Sequence, residues 1–329
     1  MRSIFSLIIA FTVAAPLMAQ TVTVAPSDNG LRVDIDGQLF TEYLTKGTDH
    51  ACFYPLIGPG GVALTREFPP KPGVKVDHPH HSSLWIGHDG VNGINFWGIN
   101  AESGRIENTG FADLKSDGAS ASFTAKSKWV KPGGEIVLTD ERRCVLTALP
   151  NSSRQLDISV KLIASAGEVT FRDTKEGTFA LRVAPWLAVT GNKFDPVGGK
   201  GHILTSAGHK DTAAWGTRAT WVSYYGPDPQ GGTACITMMD HPSNLRHPTW
   251  WHVRDYGLFA ANPFGISDFE ASPDSPIKKG TGIGGQGTKG NYVLAAGQSF
   301  TQRYLILLER TAPEAARLDA AFAAFAKTK

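Results

Sequence analysis

The run Leu156-Asp157-Ile158-Ser159-Val160-Lys161-Leu162 alternates apolar and polar residues with a period of two. That spacing puts the even-numbered side chains on one face of an extended strand, where a helix would scatter them. Eight further stretches carry strand signals, at 21–24, 31–35, 119–130, 135–149, 178–189, 219–225, 233–239 and 299–308. The 36 glycines and 20 prolines fall mainly between these runs, as they do where a chain turns often. No blade-length repeat is visible, so a propeller is disfavoured. The expected fold is all-β: one large two-sheet β-sandwich spanning 20–329. A single helix is expected at its end, over 312–327. Thr311 can cap it, Pro313 suits its first turn, and Leu318, Phe322 and Phe325 share one face that should dock on a sheet.

The first residues read as an export leader. Arg2 supplies a positive start, Ile4 to Ala15 is apolar, and Ala19 offers a small residue for cleavage. The apolar run is short of the roughly 20 residues that a spanning helix needs, and no later stretch approaches that length. The expectation is a periplasmic or secreted protein beginning near Gln20, with no membrane span. A formal net charge of +2, with acidic and basic residues interspersed, leaves no basic stripe for a phosphate backbone, so nucleic acid is not an expected partner. Cys52, Cys144 and Cys235 are far apart and form no CxxC pair, so a thiolate metal site is not supported; at most one disulfide can form, and buried reduced thiols are the favoured reading over it. The stretch 272–289, rich in Gly, Pro, Ser and Lys, reads as a long surface loop.

Four of the ten histidines fall within Asp77-His78-Pro79-His80-His81-Ser82-Ser83-Leu84-Trp85-Ile86-Gly87-His88. Pro79 biases His78 toward an extended path, which would send His78 and His80 to one side and His81 to the other. Such a group can move protons or hold a divalent metal, and the spacing alone does not choose. A second constellation runs from Asp240-His241-Pro242 through Arg246-His247-Pro248-Thr249-Trp250-Trp251-His252. Trp beside Arg, Asn and His suits a sugar, whose apolar face stacks on indole while its hydroxyls need donors and acceptors. Strand alternation should bury one of Trp250 and Trp251. Arg66, the segment Asn92 to Gly98 with Asn95 and Trp97, and the turn carrying Glu176 and Arg182 complete the candidates. There is no Gly-x-Ser-x-Gly elbow, phosphate loop, His-Glu-x-x-His or dinucleotide fingerprint.

Asp77-His78-Pro79-His80-His81, Asn92-Gly93-Ile94-Asn95-Phe96-Trp97, and Asp240-His241-Pro242 through His252 to Asn262-Pro263-Phe264-Gly265 resemble the secreted bacterial family labelled PmoA. The label is borrowed from a membrane-embedded monooxygenase subunit, and without a spanning stretch methane oxidation is not expected here. The resemblance implies a setting in bacteria rich in secreted polysaccharide-degrading systems. In outline the chain is also similar to the aldose-mutarotase superfold, where a histidine acid and a glutamate base open and close a sugar ring; no position is carried over from it.

The leading expectation is a carbohydrate-active enzyme. His80, His81 or His88 would donate a proton and Glu176 would act as base. Arg66, Asn95, Arg182, Arg246 and His247 would hold substrate, with Trp97 or Trp251 stacking on the ring. Two alternatives stand beside it: a divalent metal centre drawing on His78, His80 and His247 or Asp77, and a glycan-binding envelope protein without catalysis.

Overall fold

The computed structural model describes residues 20–191, 194, 198–271 and 287–328. The leader expected at 1–19 and most of the loop expected at 272–289 lie outside them. Two antiparallel sheets pack face to face. The first runs, in hydrogen-bonded order, Val22–Ser27, Gly30–Ile35, Gln38–Leu44, Cys52–Tyr54, Leu84–Val91, Gly177–Arg182, Leu258–Asn262 and Trp250–Val253. The second runs His202–Thr205, Trp221–Pro227, Thr233–Asp240, Ser299–Glu309, Arg154–Ile163, Ile136–Ala148, Ser120–Val130 and Arg105–Asp117. The expected β-sandwich is therefore the observed fold. Three short strands, Ile94–Asn95, Val169–Phe171 and Tyr292–Leu294, attach beside Leu84–Val91.

The core follows the alternation. Leu156, Ile158, Val160 and Leu162 are buried between the sheets with Phe123, Trp129, Phe179, Phe259 and Ile306. Each such side chain contributes about 1.5–3 kcal/mol by leaving water. Several strands of the first sheet escape the sequence signals because they are covered on both faces. Leu84–Val91 is buried at seven of its eight positions, so it lacks the polar face that marks a half-buried strand. The strand expected over 178–189 ends at Arg182, and Pro185 opens a short 3₁₀ turn instead.

The terminal helix spans Ala315–Phe325. Its N-cap position is Glu314, with no side-chain cap, so Thr311 lies outside the helix rather than at its start. Leu318 and Phe325 dock on Trp221, Met239, Leu305 and Leu307 of the second sheet. The Trp221 indole N–H donates to Asp319 at 2.7 Å. The three cysteines are buried and unpaired.

One buried feature sits between the sheets. Asp140 and Arg142 occupy inward positions of the same strand, with side chains 0% and 2% exposed, and meet at 2.8 Å. Trp129 donates to the Asp140 carboxylate at 2.7 Å, and Arg142 donates to the Tyr43 hydroxyl at 3.2 Å.

Candidate active site

The outer face of the first sheet, away from the core, carries the site. Cys52, Trp85, Ala180, Ala260 and His252 are successive partners in one row across five strands. The two alanines leave a shallow floor between Trp85 and His252. Above it the connection between Cys52–Tyr54 and Leu84–Val91 brings the His-rich turn, and the segment after Ile94–Asn95 brings Trp97. Gly87 makes the second approach possible, because a Cβ there would stand 2.5 Å from the Phe96 carbonyl oxygen.

Two buried arginines pin the turn. Arg66 donates to the backbone carbonyls of Asp77 (2.7 Å), His78 (2.8 Å) and His81 (3.2 Å), and to the Asp77 carboxylate (2.8 Å). Arg182 donates to the other Asp77 oxygen at 2.7 Å and to His81 Nδ1 at 3.1 Å. His78 adopts a positive φ of 42°, a conformation that non-glycine residues hold only when their surroundings over-determine it. Burial pushes the Asp77 carboxyl up, but the hydrogen bond from His78 and the guanidiniums of Arg182 and Arg66 outweigh it and hold the group well below the usual range.

Four rings stack in a column: Tyr256 on His78 (5.0 Å, 2°), His78 on His81 (4.8 Å, 9°) and His81 on Trp85 (5.3 Å, 28°). His80 and Trp97 meet this column edge-on. The column walls a cleft of about 640 Å³, lined also by Asn95, Asn100, Lys175, Glu176, His252 and Arg254.

The proton positions follow from the partners. Asp77 is ionised and accepts only, so the 3.0 Å contact places a proton on His78 Nδ1 and leaves Nε2 to the cleft. That side chain is 43% exposed. His81 Nδ1 accepts from Arg182, so its proton sits on Nε2. His252 Nδ1 donates to the Lys175 carbonyl at 2.8 Å, which leaves Nε2 as the atom with a lone pair. Burial pushes His80 and His252 down to about 4, and His81 well below its ordinary value. These three are neutral at pH 7. Burial pushes the Glu176 carboxyl up, but His252 and His80, which take up protons in the same acid range, and the paired Lys175 ammonium outweigh it and keep it below the ordinary glutamate value.

Of the residues expected from sequence, His78, His80, His81, Asn95, Trp97 and Glu176 meet in this cleft. Arg66 and Arg182 lie beside it, holding the turn where hydroxyl contacts were expected. His88 does not line it. As a core-parity residue of its strand it is fully buried, packs near Phe171 and Phe264, and donates from Nε2 to the Arg172 carbonyl at 2.8 Å. Trp251 likewise faces the core, with its indole N–H on the Ala219 carbonyl at 2.9 Å. His252, its neighbour of opposite parity, takes the cleft position.

The second His-rich segment reaches the cleft through His252 but not through His247. His247 pairs with Asp240 at 2.8 Å and stacks on Phe322 of the terminal helix, lining no part of the cleft. Arg246 donates to the carbonyls of Pro263, Gly290 and Asn291, which ties loops together. The ligand set of His78, His80 and His247 is thus not assembled, and among the described residues no three His, Cys, Asp or Glu side chains converge to hold a metal ion. Lys175, Arg254 and Tyr256 carry no signal of their own in the sequence. Arg254 was reachable through the strand parity that it shares with His252.

The buried imidazoles set a pH dependence. His50 is pushed down to about 3, and His80, His88 and His252 to about 4, in each case first by burial. Each takes a proton more readily in the unfolded chain, whose histidines titrate near 6.5. Their contribution to stability is therefore present above about pH 6.5 and is lost as pH falls toward 4. We expect the melting temperature to fall from pH 7 to pH 5, and the slope to flatten in His88→Gln. A profile with the same slope in the variant would overturn this assignment.

A family model described as "Family of unknown function (DUF6807)" matches residues 30–323. None of the curated proteins compared with the chain matches it.

Proposed function

The chain belongs to the DUF6807 family of unknown function, and from that starting point we propose that its cleft performs acid–base chemistry on a sugar or glycoside outside the cytoplasm. The observation that carries this reading is the convergence of one Asp-held histidine, one ionised glutamate and three neutral imidazoles around a cleft walled by aromatic rings. Sugar chemistry needs a proton given to one oxygen and another removed from a hydroxyl, water or ring carbon, and it needs ring faces to stack on. Glu176 serves as the base. Proton donation passes from His80 and His81, which burial keeps neutral, to the imidazolium form of His78: Asp77 keeps the Nδ1 proton and the second proton, on Nε2, is the one given up. His80, whose ring nitrogens have no protein partner among the described residues, binds a hydroxyl. Trp97 and Tyr256 offer the stacking surfaces.

The sequence resemblance to the secreted PmoA family and the outline likeness to the aldose-mutarotase superfold expected from the sequence favour the same reading, as does the leader-like start. The test is incubation of the purified protein with monosaccharides, methyl glycosides and oligosaccharides, followed by proton NMR for anomeric exchange, cleavage or elimination. Product formation is expected. Affinity with no product after long incubation would make the cleft a binding site only.

A further inference from the structure

Among the described residues, Arg254 is the one cation of the cleft without a charge partner. The Lys175 ammonium pairs with Glu176, and Arg66 and Arg182 pair with Asp77. Among the described residues no carboxylate pairs with the Arg254 guanidinium. It is held instead over Tyr256 at 5.5 Å and near Trp215 at 5.9 Å. Its backbone is fixed as well: its N–H donates to Leu258 at 2.8 Å and its carbonyl accepts from Gly257 at 3.0 Å. Sharing the parity of His252, it faces the same cleft beside Glu176. Beside the acceptors Glu176 and His252 Nε2, the cleft offers two further donors. Asn95 spends its side-chain oxygen on the N–H groups of Trp97 and Gly98, leaving its amide nitrogen. The buried Trp97 indole N–H has no acceptor among the described residues.

Resting on the sugar reading above, we infer that the cleft selects an acidic sugar, a uronate whose carboxylate seats against Arg254. A planar guanidinium held near two aromatic rings keeps its donors free for the two parallel hydrogen bonds that a carboxylate makes with it, and loses less ordering entropy than an unsupported side chain would. One uncompensated positive charge balances one negative charge. That favours a monoanionic carboxylate over a phosphate ester, which carries nearly twice the charge and is met elsewhere by several donors at once.

The test compares methyl β-D-glucuronide with methyl β-D-glucoside and glucose 6-phosphate by calorimetry, on the intact protein and on Arg254→Gln and Arg254→Lys. At least tenfold tighter binding of the glucuronide than of the glucoside is expected, weakening with added salt. Arg254→Gln should bring the two to near equality, and Arg254→Lys should keep part of the preference. If Arg254→Gln fails to fold, the salt dependence and the lysine variant carry the same comparison. Equal binding of both glycosides, a preference that survives in Arg254→Gln, or tighter binding of the phosphate overturns the inference while leaving the acid–base sugar reading in place. Failure of all three to bind, with no turnover of any sugar, overturns both.

Discussion

Asp140→Ala is expected to lower the unfolding free energy by about 3–5 kcal/mol, because it strips a fully buried guanidinium of its counter-ion. Arg142 lies between the sheets with 2% of its side chain exposed. Its two bonds to the Asp140 carboxylate, from Nε at 2.9 Å and from the terminal nitrogen at 2.8 Å, would vanish, leaving Tyr43 and the Ala51 carbonyl as partners. The Trp129 indole N–H would lose its acceptor as well. Typical domains are stable by only about 5–15 kcal/mol, so a loss of this size decides whether the protein accumulates at all. Urea unfolding of the purified variant measures it. The double variant Asp140→Leu, Arg142→Met should regain most of the loss, since removing both charges leaves neither unpaired. A single variant within 1 kcal/mol of the parent would show that the pair is not desolvated as its position implies.

His78→Ala and Glu176→Gln are each expected to cut turnover of a sugar substrate by about two to four orders of magnitude, the usual worth of one positioned acid or base. The two losses should not multiply, because each group needs the other to complete the same proton transfer. His78 is partly exposed, and its loss removes stacking from Tyr256 without opening the core, so folding should be preserved. His247→Ala supplies the contrast. It sits against Asp240 and Phe322, away from the cleft, and should retain turnover. The acid limb of the pH–rate profile should fall below the ordinary glutamate range, since Glu176 is held below its usual value despite burial. Turnover unchanged in both His78→Ala and Glu176→Gln would remove both assigned roles.

Strand alternation was legible wherever one sheet face meets solvent, as at Leu156 to Leu162. It was illegible where both faces are covered, as at Leu84–Val91, whose outer face lies beneath the His-rich connection. The same rule explains the site. Parity assigns His88 and Trp251 to the core and gives His252 to the cleft, but applying it requires knowing which residues belong to strands. Asp140 and Arg142 could have been found in the same way, as charged residues on the apolar parity of a strand otherwise carrying Leu138, Cys144 and Leu146 inward. The clustering of His78, His80 and His81 needed no structure, because three positions so close in sequence cannot be far apart in space.

By itself, then, the sequence determined the all-β sandwich, the terminal helix and the local histidine cluster, each of which follows from residues within a few positions of one another. The tertiary structure alone decided which distant groups join that cluster. Long-range pairing carried Glu176, His252 and Arg254 to it across neighbouring strands and left His247 against the terminal helix, and no local pattern encodes such pairing.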